Sequence, residues 1–473
     1  MTLPIKFLVG GLVIAGALLA AGHAIIYKRD SRSAALWIVV IWLMPAIGPI
    51  LYLLLGINQV RRRAVALREA MVRHRTTADF TESDLGMREA EHLEPLARLV
   101  GEVAARPLLP GNAVAVLVDG KEAYPAMLEA IESATKSVGL ASYIFDATGI
   151  GERFIEALAS AQNRGVEVRV LVDAVGAKYS WPSAARALRH RGIQAALFNP
   201  RLTPRWLPDI NLRNHRKILV VDGTVGFTGG FNIKHEFWQP ETPAKLFRDL
   251  HFRINGPVVA HLSEVFVDDW QFATGEALRG DKWFPPLPRC GDVLARGIEA
   301  GPDESHDRLR WVIIGALNSA RRSVEILTPY FLPDAGIISA LTAAALRGVE
   351  VNIILPEHSN LTYVNWATFA QLWQVLQHGC RVWLTRGPFD HSKLMVVDGV
   401  WAFLGSANWD TRSLRLNFEF NVEAYNAELG KGLEELVRGR RAEARELSLA
   451  EVDARSLPIR LRDGIARLFA PYL

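Results

Sequence analysis

Cysteine is scarce in this chain: its 473 residues contain two, Cys290 and Cys380. They make no disulfide framework and no thiolate metal site, and both are expected to be buried free thiols in a reducing compartment. No group of His, Cys, Asp and Glu has a metal-ligand spacing either, so the sequence implies no metal. Net charge is small, with Lys and Arg exceeding Asp and Glu by 54 − 50 = 4, a mild basic balance that suits an anionic surface without requiring one. Charge is missing altogether from residues 7–27, FLVGGLVIAGALLAAGHAIIY. As a helix this run rises roughly 30 Å, enough to cross a bilayer. A cleaved signal peptide competes, because Lys6 precedes the run, but the apolar stretch is too long for one.

A second uncharged run, residues 34–55, carries Trp37 and Trp42 and a kink region from Pro45 to Pro49. Joined by the loop Lys28 to Ser33, the two runs predict a transmembrane hairpin within residues 1–58, with helices over about 7–27 and 34–55. Lys28, Arg29 and Arg32 lie in its loop, and Arg61, Arg62, Arg63, Arg68, Arg73 and Arg75 follow the second run. The richer side is expected to be cytoplasmic, which places the amino terminus and the rest of the chain there. The same arginines suit anionic headgroups. Residues 59–112 read as a basic linker ending in a short helix.

Beyond the linker the pattern is strand, helix, strand, helix, and it occurs twice. AIESATKSV at Ala130 to Val138 answers to ALNSARRSV at Ala316 to Val324, and GVEVRVLVD at Gly165 answers to GVEVNIILP at Gly348. The expected fold is therefore α/β, in two related domains over residues 113–290 and 291–473. The last residues, LPIRLRDGIARLFAPYL, set Leu461, Ile465, Leu468 and Phe469 at helical spacing among arginines. They predict a packed terminal helix, with a membrane-surface helix as the other reading.

Each half closes on the same motif. HRKILVVDGTVGFTGGFN from His215 to Asn232 returns as HSKLMVVDGVWAFLGSAN from His391 to Asn408. At roughly 1 in 20 per fixed residue, two such matches at one spacing are not accidental. Each copy reads as two short strands joined at an Asp-Gly turn, with His and Lys two apart on one face. Phosphodiester chemistry asks for this set: the phosphate charge must be cancelled, phosphorus attacked in line, and the departing oxygen protonated. Lys217 and Lys393 can hold the non-bridging oxygens, and Asn232 and Asn408 can add hydrogen bonds. His215 and His391 can divide the roles of nucleophile and general acid. Each motif is then half of one site about a pseudo-twofold axis. Asp222 and Asp398 complete the catalytic set by motif, although each also starts a tight turn and has a structural reading.

The paired motifs resemble the phospholipase D superfamily, and more closely the bacterial cardiolipin synthases. GSANWDTRSLRLNFEFN after the second histidine, FRDLHFRINGP after the first motif, and the W…P-x-x-G-P-x-x-Y pattern near the amino terminus are all similar to that family. The resemblance implies two phospholipase D-like domains sharing one active site. It also implies a carboxylate on each histidine, from Asp249 and Glu419, whose alternative partners are Arg248 and Arg415. The activity it implies is phosphatidyl transfer between two phosphatidylglycerols, giving cardiolipin and glycerol through a phosphohistidine. It further implies no cofactor, a place in the bacterial inner membrane, and the amino-terminal histidine as nucleophile, which motif spacing leaves open. Hydrolysis by a phospholipase D or a nuclease is the competing activity. A nuclease calls for a basic, aromatic groove and no membrane hairpin. A non-catalytic scaffold is disfavoured because both motifs keep His, Lys and Asn.

Overall fold

The computed structural model describes residues 3–28, 30–56, 74–76, 88–199, 213–238, 246–302 and 307–469. Arg29, Arg61, Arg62, Arg63, Arg68 and Arg73, with most of the expected linker, lie outside the described residues. The chain divides into an amino-terminal unit and a larger unit that holds both halves of the duplication.

In the amino-terminal unit, helix α1 (Leu3–Tyr27) contains the apolar run Phe7–Tyr27, long enough to cross a membrane. Helix α2 (Ser31–Leu43) starts at Asp30, whose carboxylate accepts from the Arg32 and Ser33 amides. It ends after 13 residues, about 20 Å of rise, short of a bilayer core. The expected helix over 34–55 is therefore corrected: the chain turns at Met44 to Ile47, and α3 (Gly48–Leu51) leads into a π-turn at Tyr52–Gly56. Pro45 lacks an amide proton and biases Met44, at φ −131 and ψ 66, away from helix.

The turn folds the chain back. A Cβ at Gly48 would lie 2.7 Å from the Ile41 Cα, so only glycine admits this approach. Tyr52 then reaches Trp37, at 5.3 Å between ring centroids, and His23, whose Nδ1 shares a 2.9 Å hydrogen bond with the Tyr52 hydroxyl. A straight helix would hold residues 37 and 52 roughly 22 Å apart. Instead Tyr52 has returned toward the α1–α2 loop.

The larger unit is built on one mixed sheet. The first half contributes β1 (Leu109–Val118), β2 (Ser137–Ser142), β3 (Glu167–Asp173), β4 (Gln194–Phe198), β5 (Arg213–Asn214), β6 (Ile218–Val221), β7 (Val225–Gly229) and β8 (Leu250–Asn255). The second contributes β9 (Val293–Ala300), β10 (Ser323–Leu327), β12 (Glu350–Pro356), β13 (Arg381–Thr385), β14 (Leu394–Val397), β15 (Trp401–Gly405), β17 (Asn417–Tyr425) and β18 (Ala444–Leu447), while β11 (Phe331–Leu332) and β16 (Trp409–Asp410) pair apart from it as a small parallel sheet. Reading outward from the antiparallel β1–β9 pair, the first half runs β1-β8-β7-β6-β2-β3-β4 and the second β9-β17-β15-β14-β10-β12-β13, with β18 added at its edge. The two orders are the same, which is the pseudo-twofold expected from the sequence repeats. Of the parallel sets β2-β3-β4 and β10-β12-β13, the inner strands β2, β3, β10 and β12 are largely buried, and their apolar runs explain why they read clearly in sequence, while β4 and β13 are more open.

Three details differ from expectation. β1 starts at Leu109, and helix Glu94–Ala104, read as the end of a linker, buries Leu96, Ala97 and Val100 in the core of the second half beside Leu309 and Ile313. Cys380 is buried but Cys290 is exposed. The terminal helix Leu457–Leu468 packs with the opposite face from the one its apolar spacing suggests: Asp463 is buried, while Leu461, Ile465, Leu468 and Phe469 face solvent.

Candidate active site

Each motif folds as an antiparallel hairpin, β6–β7 and β14–β15. The backbones match closely, with Asp222 and Asp398 at φ 52 and 55, Gly223 and Gly399 both at 66, and Gly229 and Gly405 at 151 and 150. His and Lys enter just before the first strand of each hairpin. Arg216, between His215 and Lys217, points the other way and is tied to Asp269 at 2.6 Å and to the Glu419 carbonyl at 3.1 Å.

The aspartates of the motif sit at the far end of that strand. Asp222 accepts the backbone amides of Thr135, Lys136 and Ser137 at 2.9, 2.7 and 2.9 Å. Asp398 accepts those of Arg321, Arg322 and Ser323 at 3.0, 2.7 and 3.0 Å, and pairs with His92 Nε2 at 2.7 Å. Their oxygens hold the start of β2 and of β10, contacts that accord with the structural reading of these two aspartates. Amide donors also keep both carboxyls below their ordinary range despite partial burial.

At the near end the halves exchange contacts. The His215 amide donates to the Phe418 carbonyl at 2.9 Å and the His391 amide to the Arg248 carbonyl at 2.8 Å, each across the pseudo-twofold. The next residue in each case is a carboxylate. Glu419 lies 3.0 Å from His215 Nδ1, and Asp249 lies 2.9 Å from His391 Nδ1. Each half therefore orients the other half's imidazole. The alternative ion pairs do not form: Arg415 binds Asp307 at 3.0 Å, and Arg248 binds Glu443 at 2.7 Å. With Nδ1 held by a carboxylate, Nε2 of each ring is left for the reacting atoms.

Lys217 Nζ donates to the His215 carbonyl at 2.7 Å, and Lys393 Nζ to the His391 carbonyl. Burial lowers both ammonium groups, Lys217 to about 7 and Lys393 to about 8, with Glu419 and Asp249 respectively opposing the shift. His215 falls to about 4, chiefly through burial, against the pull of Glu419. His391 lies well below its ordinary value through burial, with Lys393, Lys217 and His215 adding to it. These mutual effects tie both histidines and both lysines into one electrostatic unit. The empty site resists positive charge, and an entering phosphodiester supplies the anion that the lysines lack. Asn232 Oδ1 accepts the Ile144 amide at 3.2 Å, and Asn408 Nδ2 donates to Ser413 Oγ at 3.3 Å. Both asparagines are buried beside their histidines' hairpins.

Several neighbours escaped the sequence reading. Tyr143 packs 5.1 Å from the His215 ring and accepts from Arg213 at 3.1 Å. Tyr330, Phe389 and Phe237 surround His391 with centroids 6.3, 6.0 and 5.8 Å away. The tyrosines did leave a trace, since each follows the duplicated strand in YIFD or YFLPD. Ser406 Oγ donates to Glu419 at 2.5 Å.

A family model described as cardiolipin synthase, PLD-like domain, matches residues 127–270 and 313–439, more than half of the chain. The chain belongs to the cardiolipin synthase family of phospholipase D-like proteins. A second model, described as phospholipase D-nuclease N-terminal, matches residues 15–56. A cardiolipin synthase of Geobacillus sp. (strain WCH70) is 32% identical, over 98% of this chain and 94% of its own. One of Staphylococcus aureus (strain Mu50 / ATCC 700699) is 31% identical, over 98% and 96%. The crystal structure of phosphatidylserine synthase from Haemophilus influenzae matches 80% of this chain and all of its own, at TM-score 0.63 and 17% identity, which speaks for the shared fold. Cardiolipin synthases act on membrane phospholipids, and α1 with this family membership associates the chain with a membrane.

Proposed function

We propose that the protein is a membrane-bound phosphatidyltransferase that joins two phosphatidylglycerols into cardiolipin and releases glycerol. The observation that carries it is the crossed pair of imidazoles, each held at Nδ1 by the other repeat's carboxylate beside a buried lysine. His215 Nε2 attacks phosphorus, the bond to the glycerol oxygen breaks, and His391 Nε2 gives that oxygen its proton. His391, now neutral, takes the proton from the primary hydroxyl of a second phosphatidylglycerol. That oxygen forms the new bond to phosphorus as the N–P bond breaks. Glu419 favours His215 as the nucleophile, because its carboxyl stays below the ordinary range while burial holds that of Asp249 well above it. An anionic partner on Nδ1–H makes Nε2 the better donor of electrons.

Acceptor lipid must outcompete water at the second step. The aromatic wall of Phe237, Tyr330 and Phe389 beside His391 supports transfer over hydrolysis by limiting water there. Purified enzyme in vesicles of labelled phosphatidylglycerol is expected to yield cardiolipin and glycerol, whereas phosphatidic acid as the sole product overturns the transferase reading. An alkaline quench with peptide mapping is expected to find the label on His215.

The fold-back after α2 favours one crossing by α1 with a re-entrant segment, in place of a hairpin with both ends on one side. Lys28 and Arg32 then share a side with the arginines that follow Gly56, and the positive-inside tendency puts that side and the catalytic unit in the cytoplasm. Cysteines at Ser31 and Ser448 are both expected to escape an impermeant reagent on intact cells. Labelling at Ser31 alone restores the two-span hairpin.

A further inference from the structure

The terminal helix Leu457–Leu468 lies against helix Thr362–Phe369. Its inner face is polar: buried Asp463 binds Arg455 Nη1 at 2.7 Å and Arg462 Nη2 at 2.7 Å, and the Arg462 guanidinium lies 4.3 Å over Trp366. Ala466, on the same face, packs on the cluster of Tyr330, Leu332, Val364, Ala367 and Phe389. That cluster holds Tyr330 and Phe389 of the aromatic wall of His391. The outer face carries Leu457, Leu461, Ile465 and Leu468 in one row at spacings of four, four and three, exposed by 68, 58, 58 and 73%. A row so apolar and so open is unusual on a surface that meets only water.

Beside the row runs a groove of about 410 Å³ lined by Arg455, Arg460, Arg467, Asp453, Gly464 and Trp373, three guanidiniums against one carboxylate. Asp463 engages Arg455, and among the described residues no ion pair of Arg460 or Arg467 occurs. With Arg455 engaged, Arg460 and Arg467 outnumber Asp453, and a groove of net positive charge flanking an apolar row has the chemistry of a bilayer boundary, with acyl chains against the leucines and phosphates against those two guanidiniums. We propose that this helix docks on an anionic phospholipid surface and that the groove takes one lipid phosphodiester, at a site separate from the histidines. Docking there brings the aromatic wall of His391 to the lipid from which substrate is drawn.

The test uses the full chain with Cys290→Ser and Leu461→Cys, labelled with an environment-sensitive fluorophore and reconstituted in vesicles. Phosphatidylglycerol vesicles are expected to shift the emission to the blue and shield the probe from an aqueous quencher, by comparison with detergent. Arg460→Gln with Arg467→Gln is expected to reverse the shielding and to lower turnover at least about fivefold more on vesicle lipid than on dispersed short-chain phosphatidylglycerol. A probe quenched alike in vesicles and detergent overturns the docking. Equal shielding in vesicles of phosphatidylcholine alone overturns the anionic site, and equal losses on both substrates assign the arginines to the fold instead. The probe reports whether or not the enzyme turns over, so failure here is distinct from failure of the transferase reading.

Discussion

In the second repeat the Ser406 hydroxyl holds Glu419 at 2.5 Å, and the same carboxylate orients His215 of the first repeat. The first repeat has Gly230 where the second has Ser406. A Cβ there would lie 2.2 Å from Asp249 Oδ1, so the shorter Asp249 sits directly against the hairpin and reaches His391 without a hydroxyl. Asp249 binds instead the amide of its own neighbour Leu250 at 2.7 Å. Two backbones that agree within a few degrees at their turns thus hold histidines in unlike settings. One carboxyl is drawn below its ordinary range by His215, Lys217 and Ser406 against its burial; the other is pushed up by burial. Duplication supplied symmetry, and side-chain length and one hydroxyl removed it. A two-step transfer needs that difference, because nucleophile and acid must begin in opposite protonation states.

The largest expected effect breaks the pair outright. His215→Ala is expected to abolish both turnover and the covalent adduct, while His391→Ala abolishes turnover yet still accumulates adduct from a substrate with a good leaving group. Adduct in His215→Ala enzyme exchanges the two roles. Next, Glu419→Gln is expected to cost on the order of 10²–10⁴-fold in kcat, the usual range for acid–base partners, and Asp249→Asn less. Equal losses remove the asymmetry.

A hairpin swap sharpens the comparison further. Ser406→Gly removes one hydrogen bond to a charged group, about 1.5–3 kcal/mol, and is expected to lower kcat roughly 10–100-fold. Gly230→Ser forces Asp249 off His391 and is expected to steepen the dependence on leaving-group pKa, which Ser406→Gly leaves alone. Substrate affinity supplies a smaller effect. Lys217 and Lys393 carry their charge below about 7 and 8 in the empty site, so binding of a non-reacting phosphodiester is expected to weaken as pH rises through that window. Calorimetry at successive pH values checks it, and affinity that rises with pH contradicts it.

The smallest effect on chemistry belongs to the turn aspartates. Asp222→Asn and Asp398→Asn are expected to lower stability by about 1–3 kcal/mol each, more for Asp398 because His92 also depends on it. Activity per folded molecule is expected to survive. Their folded pKa values are depressed, so their stabilisation is present above the ordinary carboxyl pKa and lost as pH falls through the folded value. Melting temperatures measured from pH 7 downward test this sign.

Much of this protein was written locally. Five fixed residues at equal spacing in each copy identified both motifs, and repeated strand and helix patterns announced two α/β halves, because burial imposes its period on short stretches of chain. Asp249 and Glu419 were found as candidates, but their crossed partners were not. Residues 204 and 142 positions apart in His215–Glu419 and His391–Asp249 meet only because β1 and β9 join the sheets. The two uncharged amino-terminal runs read alike by composition, yet the second folds back at Pro45 and Gly48, a reversal set by close packing on Ile41 that hydropathy does not record. The terminal helix repeats that lesson. Its apolar spacing was plain in sequence, but spacing defines only a face. Which face turns inward was decided by the partners on offer, and here Asp463 took the inside against Arg455 and the more exposed Arg462, because a carboxylate that is buried has to keep its cationic partners beside it.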